Sequence, residues 1–350
     1  MGVVENTGRR PAIIYHPIFL EHDTGAHPER AARLVAIRQH LEAKGIWADD
    51  EVLRPGPVPL EWLFKVHDPK YVLALEAFCA DGGGYLDVDT VASPRSYEAA
   101  LHAVGAGLLG VDLLFASPPQ PSFALVRPPG HHARSGEAMG FCLFNNIAVA
   151  AVYALERYGA KRVLAVDFDV HHGNGTQETF YRDPRVLYFS THQSPHYPGT
   201  GRLEETGAGA GVGCNVNLPL PARTGDEGYL KSFREVLVPV ARRGRPEAIL
   251  VSAGYDGHWR EPLADMRLTV TGFGAMVGVL RDLADELCEG RIAFLLEGGY
   301  DQEALALAVA ATLDSAAGLP VDDPLGPPAW PSRESDLSAI IATARRLNAL

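Results

Sequence analysis

Four apolar runs of this chain break at their C-terminal ends into short polar segments that contain glycine, and that pattern narrows the possible folds sharply. Residues 123–126 lead into Arg127-Pro-Pro-Gly-His131-His132, and residues 163–170 carry Asp167-Phe-Asp169-Val before His171-His172-Gly-Asn174. Residues 248–251 lead into Ser252-Ala-Gly-Tyr-Asp256, and residues 292–296 into Glu297-Gly-Gly-Tyr300. Short runs without a polar face read as strands buried on both sides, the condition of a parallel sheet covered by helices. Residues 12–15 and 186–189 add two more such strands. Between the strands, residues 29–44, 97–115, 145–158, 229–242, 271–287 and 302–316 have helical spacing or Ala- and Leu-rich composition. The alternation predicts an α/β fold, a mostly parallel sheet with helices on both faces. The C-terminal strand ends of such a sheet share one edge, where ligands bind, so the four polar segments are expected to converge there.

A chain of 350 residues could hold one large domain or two. No second core is visible: a Pro-rich stretch, 319–331, ends the main body at about residue 318, and 334–350 reads as an appended helix. That tail, 319–350, is expected to pack on the same domain or on a neighbouring copy, which leaves a homo-oligomer open. Lys and Arg number 31 against 43 Asp and Glu, a formal charge of −12 that disfavours nucleic acid and permits a cationic substrate. No unbroken apolar run approaches the roughly 18 to 20 residues of a membrane helix, so none is expected to span a bilayer. The first residues, with Glu5, Arg9, Arg10 and Pro11, lack a signal-peptide core, and Asn6 spoils a myristoylation signal. Four scattered cysteines, Cys79, Cys142, Cys214 and Cys288, show no Cys-x-x-Cys spacing, and the expected compartment is the cytoplasm.

The chemistry concentrates in the second polar segment. Strand spacing places Asp167, Asp169 and His171 on one face within apolar sequence. A polar strand end with capped hydrogen bonds is the plainer reading of a single Asp-x-His, but the other three segments favour a divalent cation, which would offset buried carboxylates. Asp256 is the natural third ligand, leaving a fourth position for water as catalytic zinc sites do; Fe2+ or Mn2+ also suits such oxygen-rich ligation. The tandem His131-His132 supplies two groups that titrate near neutral pH. Asp167 and Asn174 would be unlike partners for them, a carboxylate favouring imidazolium and an amide orienting the ring without favouring charge. Tyr300 is either core packing or a hydroxyl donor to an oxyanion. Gly105-Ala-Gly107-Leu-Leu-Gly110 matches a dinucleotide fingerprint as a string but lies inside a helical stretch with no strand before it, so its glycines read as close packing.

Taken together, Arg-Pro-Pro-Gly-His131-His132-Ala, Gly140-Phe141-Cys142, Asp167-x-Asp169-x-His171-His172-Gly-Asn174-Gly and Leu-Glu-Gly-Gly-Tyr300 resemble the histone deacetylase superfamily across residues 12–318. The likeness is to class II and bacterial members, including acetylpolyamine amidohydrolases and acetoin-utilisation proteins. It implies a single-domain arginase-deacetylase fold with an eight-stranded sheet. It also implies one zinc ion per chain on Asp169, His171 and Asp256, and a structural potassium ion on main-chain oxygens near Asp167, Asp169 and His171 with the Ser190 hydroxyl. His131 with Asp167 and His132 with Asn174 match the tandem histidines and their partners, and Tyr300 the transition-state tyrosine. Gly140, Phe141 and Tyr197 resemble the acyl-lysine channel. Leu263 stands where an acidic gatekeeper would favour polyamines, with Glu261 close by, and Asp87 or Asp89 matches the rim. The implied activity is zinc-dependent hydrolysis of an acetyl or acyl amide on lysine or a related amine, releasing acetate. His132 would act as base, His131 as electrostatic support and Tyr300 as oxyanion donor. Alternatives are an acetylpolyamine amidohydrolase, a binuclear manganese ureohydrolase, for which the further carboxylates are missing, and a non-catalytic acyl-lysine binding module.

Overall fold

In a computed structural model, residues 8–329 and 334–349 are described. Residues Glu5 and Asn6, the end of the Pro-rich stretch and Leu350 lie outside them. Among the described residues nine strands form: β1 (Ala12–Ile14), β2 (Gly84–Tyr85), β3 (Val91–Ala92), β4 (Ser122–Ala124), β5 (Val163–Asp167), β6 (Val186–Gln193), β7 (Asn215–Leu220), β8 (Ala248–Ala253) and β9 (Ile292–Leu296). Seven make one sheet in the order β1-β4-β9-β8-β5-β6-β7, and β2 pairs with β3 alone. Every pairing in the large sheet is parallel. The central strands β5, β8 and β9 are buried at every residue, as their unbroken apolar sequence requires.

Two differences from the sequence reading concern the sheet edges. The resemblance implies eight strands, whereas the large sheet has seven among the described residues. Beyond β1 a single residue, Leu53, takes the eighth place: its N–H donates to Ile13 O (2.9 Å) and its carbonyl accepts from Tyr15 N (3.0 Å). Arg54-Pro55-Gly56-Pro57 follows, and prolines without an N–H cannot extend a ladder. At the other edge β7 escapes the apolar-run criterion because Asn215, Asn217 and Pro219 alternate with its apolar residues. An edge strand is where proline is tolerated.

The predicted helices form with ends shifted by a few residues; 145–158, for example, becomes Asn146–Arg157, capped by the Asn145 side chain on Ala148 N. Residues 229–242 begin earlier, at Asp226–Ser232, and continue through a π turn, Phe233–Leu237, into Val238–Gly244. Pro69–Ala80 and Asn174–Phe180 are further helices. The helix Ser96–Leu114 has the length and apolar composition of a membrane span, but its window is 67% buried inside the protein. Glu98, His102 and Asp112 interrupt its sequence, so it contains no long unbroken apolar run. Its glycines serve packing: a Cβ on Gly105 would lie 2.0 Å from Gly56 O, and one on Gly110 would lie 3.0 Å from Ser122 Oγ. At the C-terminus, Ser338–Leu347 lays Ile341 and Ala344 into the main core with Leu337. Trp259 Nε1 donates to Gly326 O (2.9 Å), tying the Pro-rich segment to the loop after Asp256.

Candidate active site

Parallel register brings the polar strand ends together. Asp167 at the end of β5 lies beside Ser190 of β6 and Ser252 of β8, and Ser252 lies beside Leu295 of β9. Just past those ends, His171 Nδ1 sits 3.1 Å from Asp169 Oδ1 and 3.1 Å from Asp256 Oδ2. The three donors lie within 4.8 Å of one another. The opposite carboxylate oxygens are held by the backbone: Asp169 Oδ2 accepts from Gly298 N (2.8 Å) and Asp256 Oδ1 from Val170 N (2.9 Å). That leaves one oxygen of each acid turned toward the imidazole. Close backbone approach is built in, since a Cβ on Gly298 would come 2.1 Å from Asp256 Oδ2. Burial opposes charge on His171, but the carboxylates of Asp169 and Asp256 outweigh it and push its pKa up to about 10. Burial, reinforced by the Asp169 charge, raises Asp256. Two buried carboxylates thus converge on one imidazole, and two oxygens with one imidazole nitrogen are the donor types and number that fit a divalent cation of the zinc kind.

The tandem histidines sit beside this cluster with different partners. His131 Nδ1 is 3.0 Å from Asp167 Oδ2, which also accepts from the Tyr188 hydroxyl at 3.2 Å. Burial works to lower His131, but the Asp167 and Asp169 carboxylates overcome it and hold its pKa well above 6.5. His132 Nδ1 faces Asn174 Oδ1 at 2.8 Å. Burial, then the charges of His131 and His171, drives His132 well below 6.5. Adjacent rings 4.0 Å apart are therefore pushed in opposite directions, His131 towards its charged form and His132 towards its neutral one.

A cavity of about 220 Å3 opens onto these groups. Gly140, Phe141, Tyr197, Leu263 and Tyr300 all line it. Gly140 has φ +55°, and a Cβ there would fall 2.3 Å from the His132 ring, so only glycine lets this turn pack against the histidine. The Tyr197 ring meets His132 edge-on at 5.2 Å, and Phe141 meets Tyr300 edge-on at 5.8 Å. Burial raises the Tyr300 hydroxyl well above 10, keeping it a proton donor. Of the two rim acids, Asp87 is spent on its own turn, with Oδ1 accepting from Asp89 N (2.9 Å) and Thr90 N (2.5 Å). Asp89 reaches the cavity, and its Oδ1 is buried without a partner. Glu261 is 7% exposed and bonded to backbone N–H groups, so it is no gatekeeper at the mouth. Ser190 Oγ lies 3.0 Å from His192 Nδ1.

Several supporting residues escaped sequence reasoning. Glu29 receives Arg127 on both oxygens (2.5 and 2.8 Å) and Arg33 at 3.1 Å, all buried. Glu297 accepts from Gly130 N (2.6 Å), His131 N (3.2 Å) and Ser252 Oγ (3.0 Å), bracing the tandem histidines from below. The available signal was a charged residue immediately after an apolar strand, which describes both Arg127 and Glu297. His131, Cys142 and Glu297 are a second set of potential donors within 4.8 Å, but Glu297 is engaged on both oxygens, and His131 Nδ1 faces Asp167. Nothing in that set resembles the carboxylate-rich second site of a binuclear ureohydrolase. His196, stacked on His171 at 4.9 Å, also lines the cavity.

Residues 27–316 match the family model of the histone deacetylase domain. A "probable deacetylase" of Archaeoglobus fulgidus is 38% identical over 294 residues, covering 83% of this chain and 81% of that protein. A "histone deacetylase-like amidohydrolase" of Pseudomonas aeruginosa is 34% identical over 341 residues, covering 91% and 89%. The crystal structure of the HDA15 HD domain superposes with a TM-score of 0.85 at 34% identity, covering 97% of this chain and 94% of that one.

Proposed function

The chain belongs to the histone deacetylase family, hydrolases of amide substrates, and on that premise we propose that it is a zinc-dependent deacetylase that removes the acetyl or a related short acyl group from a lysine side chain. The observation that carries this reading is the unlike partnering of the tandem histidines, His131 with the Asp167 carboxylate and His132 with the Asn174 amide, beside an intact three-donor cluster at one end of a cavity. Asp169, His171 and Asp256 would hold the zinc ion, which when bound supplies Lewis-acid polarisation of the amide carbonyl and lowers the pKa of water from about 15.7 towards about 7. Neutral His132, oriented by Asn174, takes the proton of the attacking water and later delivers it to the leaving amine. His131, kept charged by Asp167, stabilises the negative charge that develops. Tyr300 donates to the carbonyl oxygen as it becomes an oxyanion, while Phe141 and Tyr197 flank the alkyl chain and Asp89 lines the same cavity. A potassium ion under the site belongs to the same reading, supported by the register of Asp167 against Ser190.

Leu263 in the channel wall, with Glu261 buried behind it, favours acyl-lysine over a polyamine, whose second ammonium would want an acid there. The test is acetate release by zinc-loaded enzyme, with a chelated control, from an acetyl-lysine peptide and from N-acetylated putrescine and spermidine. The expected result is a kcat/KM ratio of about 100 in favour of the peptide, roughly 2.7 kcal/mol of discrimination. The reverse ratio identifies an acetylpolyamine amidohydrolase, and binding of the peptide without release of acetate identifies a binding module.

A further inference from the structure

Glu261 is a buried acid to which the proposed reaction assigns no task. Its Oε2 accepts from the backbone N–H of Tyr300 at 2.9 Å and of Asp301 at 3.4 Å, and its Oε1 from that of Leu263 at 3.4 Å. One carboxylate therefore joins the segment that carries the hydroxyl donor to the loop that carries the channel wall. The two glycines before Tyr300 are tied on their own account, Gly298 by Asp169 (2.8 Å) and Tyr255 N (3.0 Å) and Gly299 O by Arg33 Nε (2.7 Å), which leaves the Tyr300 peptide itself to be fixed. Asp301 has other restraints: its side chain caps the helix Gln302–Ala316 by accepting from Ala304 N (2.9 Å) and pairs with Arg260 at 3.1 Å. The N–H of Tyr300 is held by Glu261. An acid that merely filled this space would cost desolvation that an apolar side chain avoids, so its retention among backbone donors points to a use.

Resting on the deacetylase reading, we propose that Glu261 is a positioning residue that fixes the Tyr300 hydroxyl relative to the channel wall at Leu263. Oxyanion donors act only within a few tenths of an ångström of their place, and a misplacement of about 1 Å can cost about 100-fold in rate. The test compares wild type, Glu261→Ala, Glu261→Gln, Tyr300→Phe and the double variant Glu261→Ala/Tyr300→Phe, all zinc-loaded, on an acetyl-lysine peptide. Melting temperature and bound zinc are recorded for each variant. Glu261→Ala is expected to lower kcat by about 10- to 100-fold with KM within about 2-fold. In the Tyr300→Phe background the same substitution is expected to cost less than about 3-fold, because no hydroxyl remains to be misplaced. Glu261→Gln keeps a carbonyl oxygen for the N–H of Tyr300 and is expected to stay within about 5-fold of wild type. If the Ala variant does not fold, Glu261→Asp, which withdraws the carboxylate by one methylene, runs the same cycle. Losses that multiply in the double variant, or a change in KM without kcat, overturn the positioning role and leave the deacetylase reading intact. An inactive wild type, or a Tyr300→Phe variant with unchanged turnover, overturns both.

Discussion

At His132 the amide of Asn174 performs a task that a carboxylate would alter. It orients the ring through a 2.8 Å contact with Nδ1 and adds no charge, so burial and the neighbouring cations keep the imidazole neutral. Since the pKa of this base is depressed, its neutral form persists as pH falls, and the acid limb of kcat/KM should lie below 6.5, the ordinary value. Asn174→Asp places a negative charge against the ring, raises its pKa and should move the acid limb to higher pH. A pH–rate profile of the two proteins checks this; an unmoved limb removes His132 as the titrating base. His131, His132, Asp169, His171 and Asp256 were legible in the sequence because each belongs to a polar segment that follows an apolar strand. Glu29 was not, since it stands at the start of a stretch read only as helix and its partner Arg127 lies 98 positions away.

The elements bring those residues together by backbone approach, and glycine makes the approach possible. Gly298→Ala would push a methyl group into Asp256 Oδ2, 2.1 Å away. The expected loss is about 10- to 100-fold in zinc affinity, as for other residues that orient metal ligands, measured by competition with a chelator. Beneath the strand ends, Glu29 ties β4's continuation at Arg127 to the helix Ala32–Ala43 through Arg33. Burial works to raise the Glu29 carboxyl, but Arg127 outweighs it and holds the pKa well below 4.5. Its contribution to stability is thus complete above the ordinary carboxylate range and is lost only as pH falls through the lower folded-state value. Glu29→Ala leaves two guanidinium groups buried without their acid and should cost about 3 to 5 kcal/mol in denaturant unfolding at neutral pH. The strands that the sequence left unread are those whose environment is one-sided. Asn215 and Asn217 of β7 reach the Gln177 side chain at 2.9 and 2.7 Å, so polar residues stand where an interior strand would carry apolar ones.

For the whole molecule, metal and fold should be linked. Asp169 and Asp256 are buried carboxylates at 1% and 0% exposure, so a cation that binds them binds the folded chain alone. Stripping the protein with a chelator should lower its unfolding free energy, and restoring zinc to about 100 times its Kd should recover about 2.7 kcal/mol. Metal analysis should return one zinc per chain; a value near two would revive the binuclear ureohydrolase. The α/β architecture was readable from alternation alone, whereas the strand order was not, because pairing depends on contacts far apart in the chain. That order has a consequence for biosynthesis. β9 lies between β4 and β8, yet among the described residues it is the last strand to be made. While the ribosome works, β1 and β4 can pair on one side and β5 to β8 on the other, but the two halves join only when β9 emerges, with Tyr300 immediately behind it. Until then the nascent chain exposes two open sheet edges, the hazard that chaperones exist to cover. A cell therefore obtains the complete site only once β9 and Tyr300 have been made, and a chain that stalls before β9 has a fold to protect but no chemistry to offer.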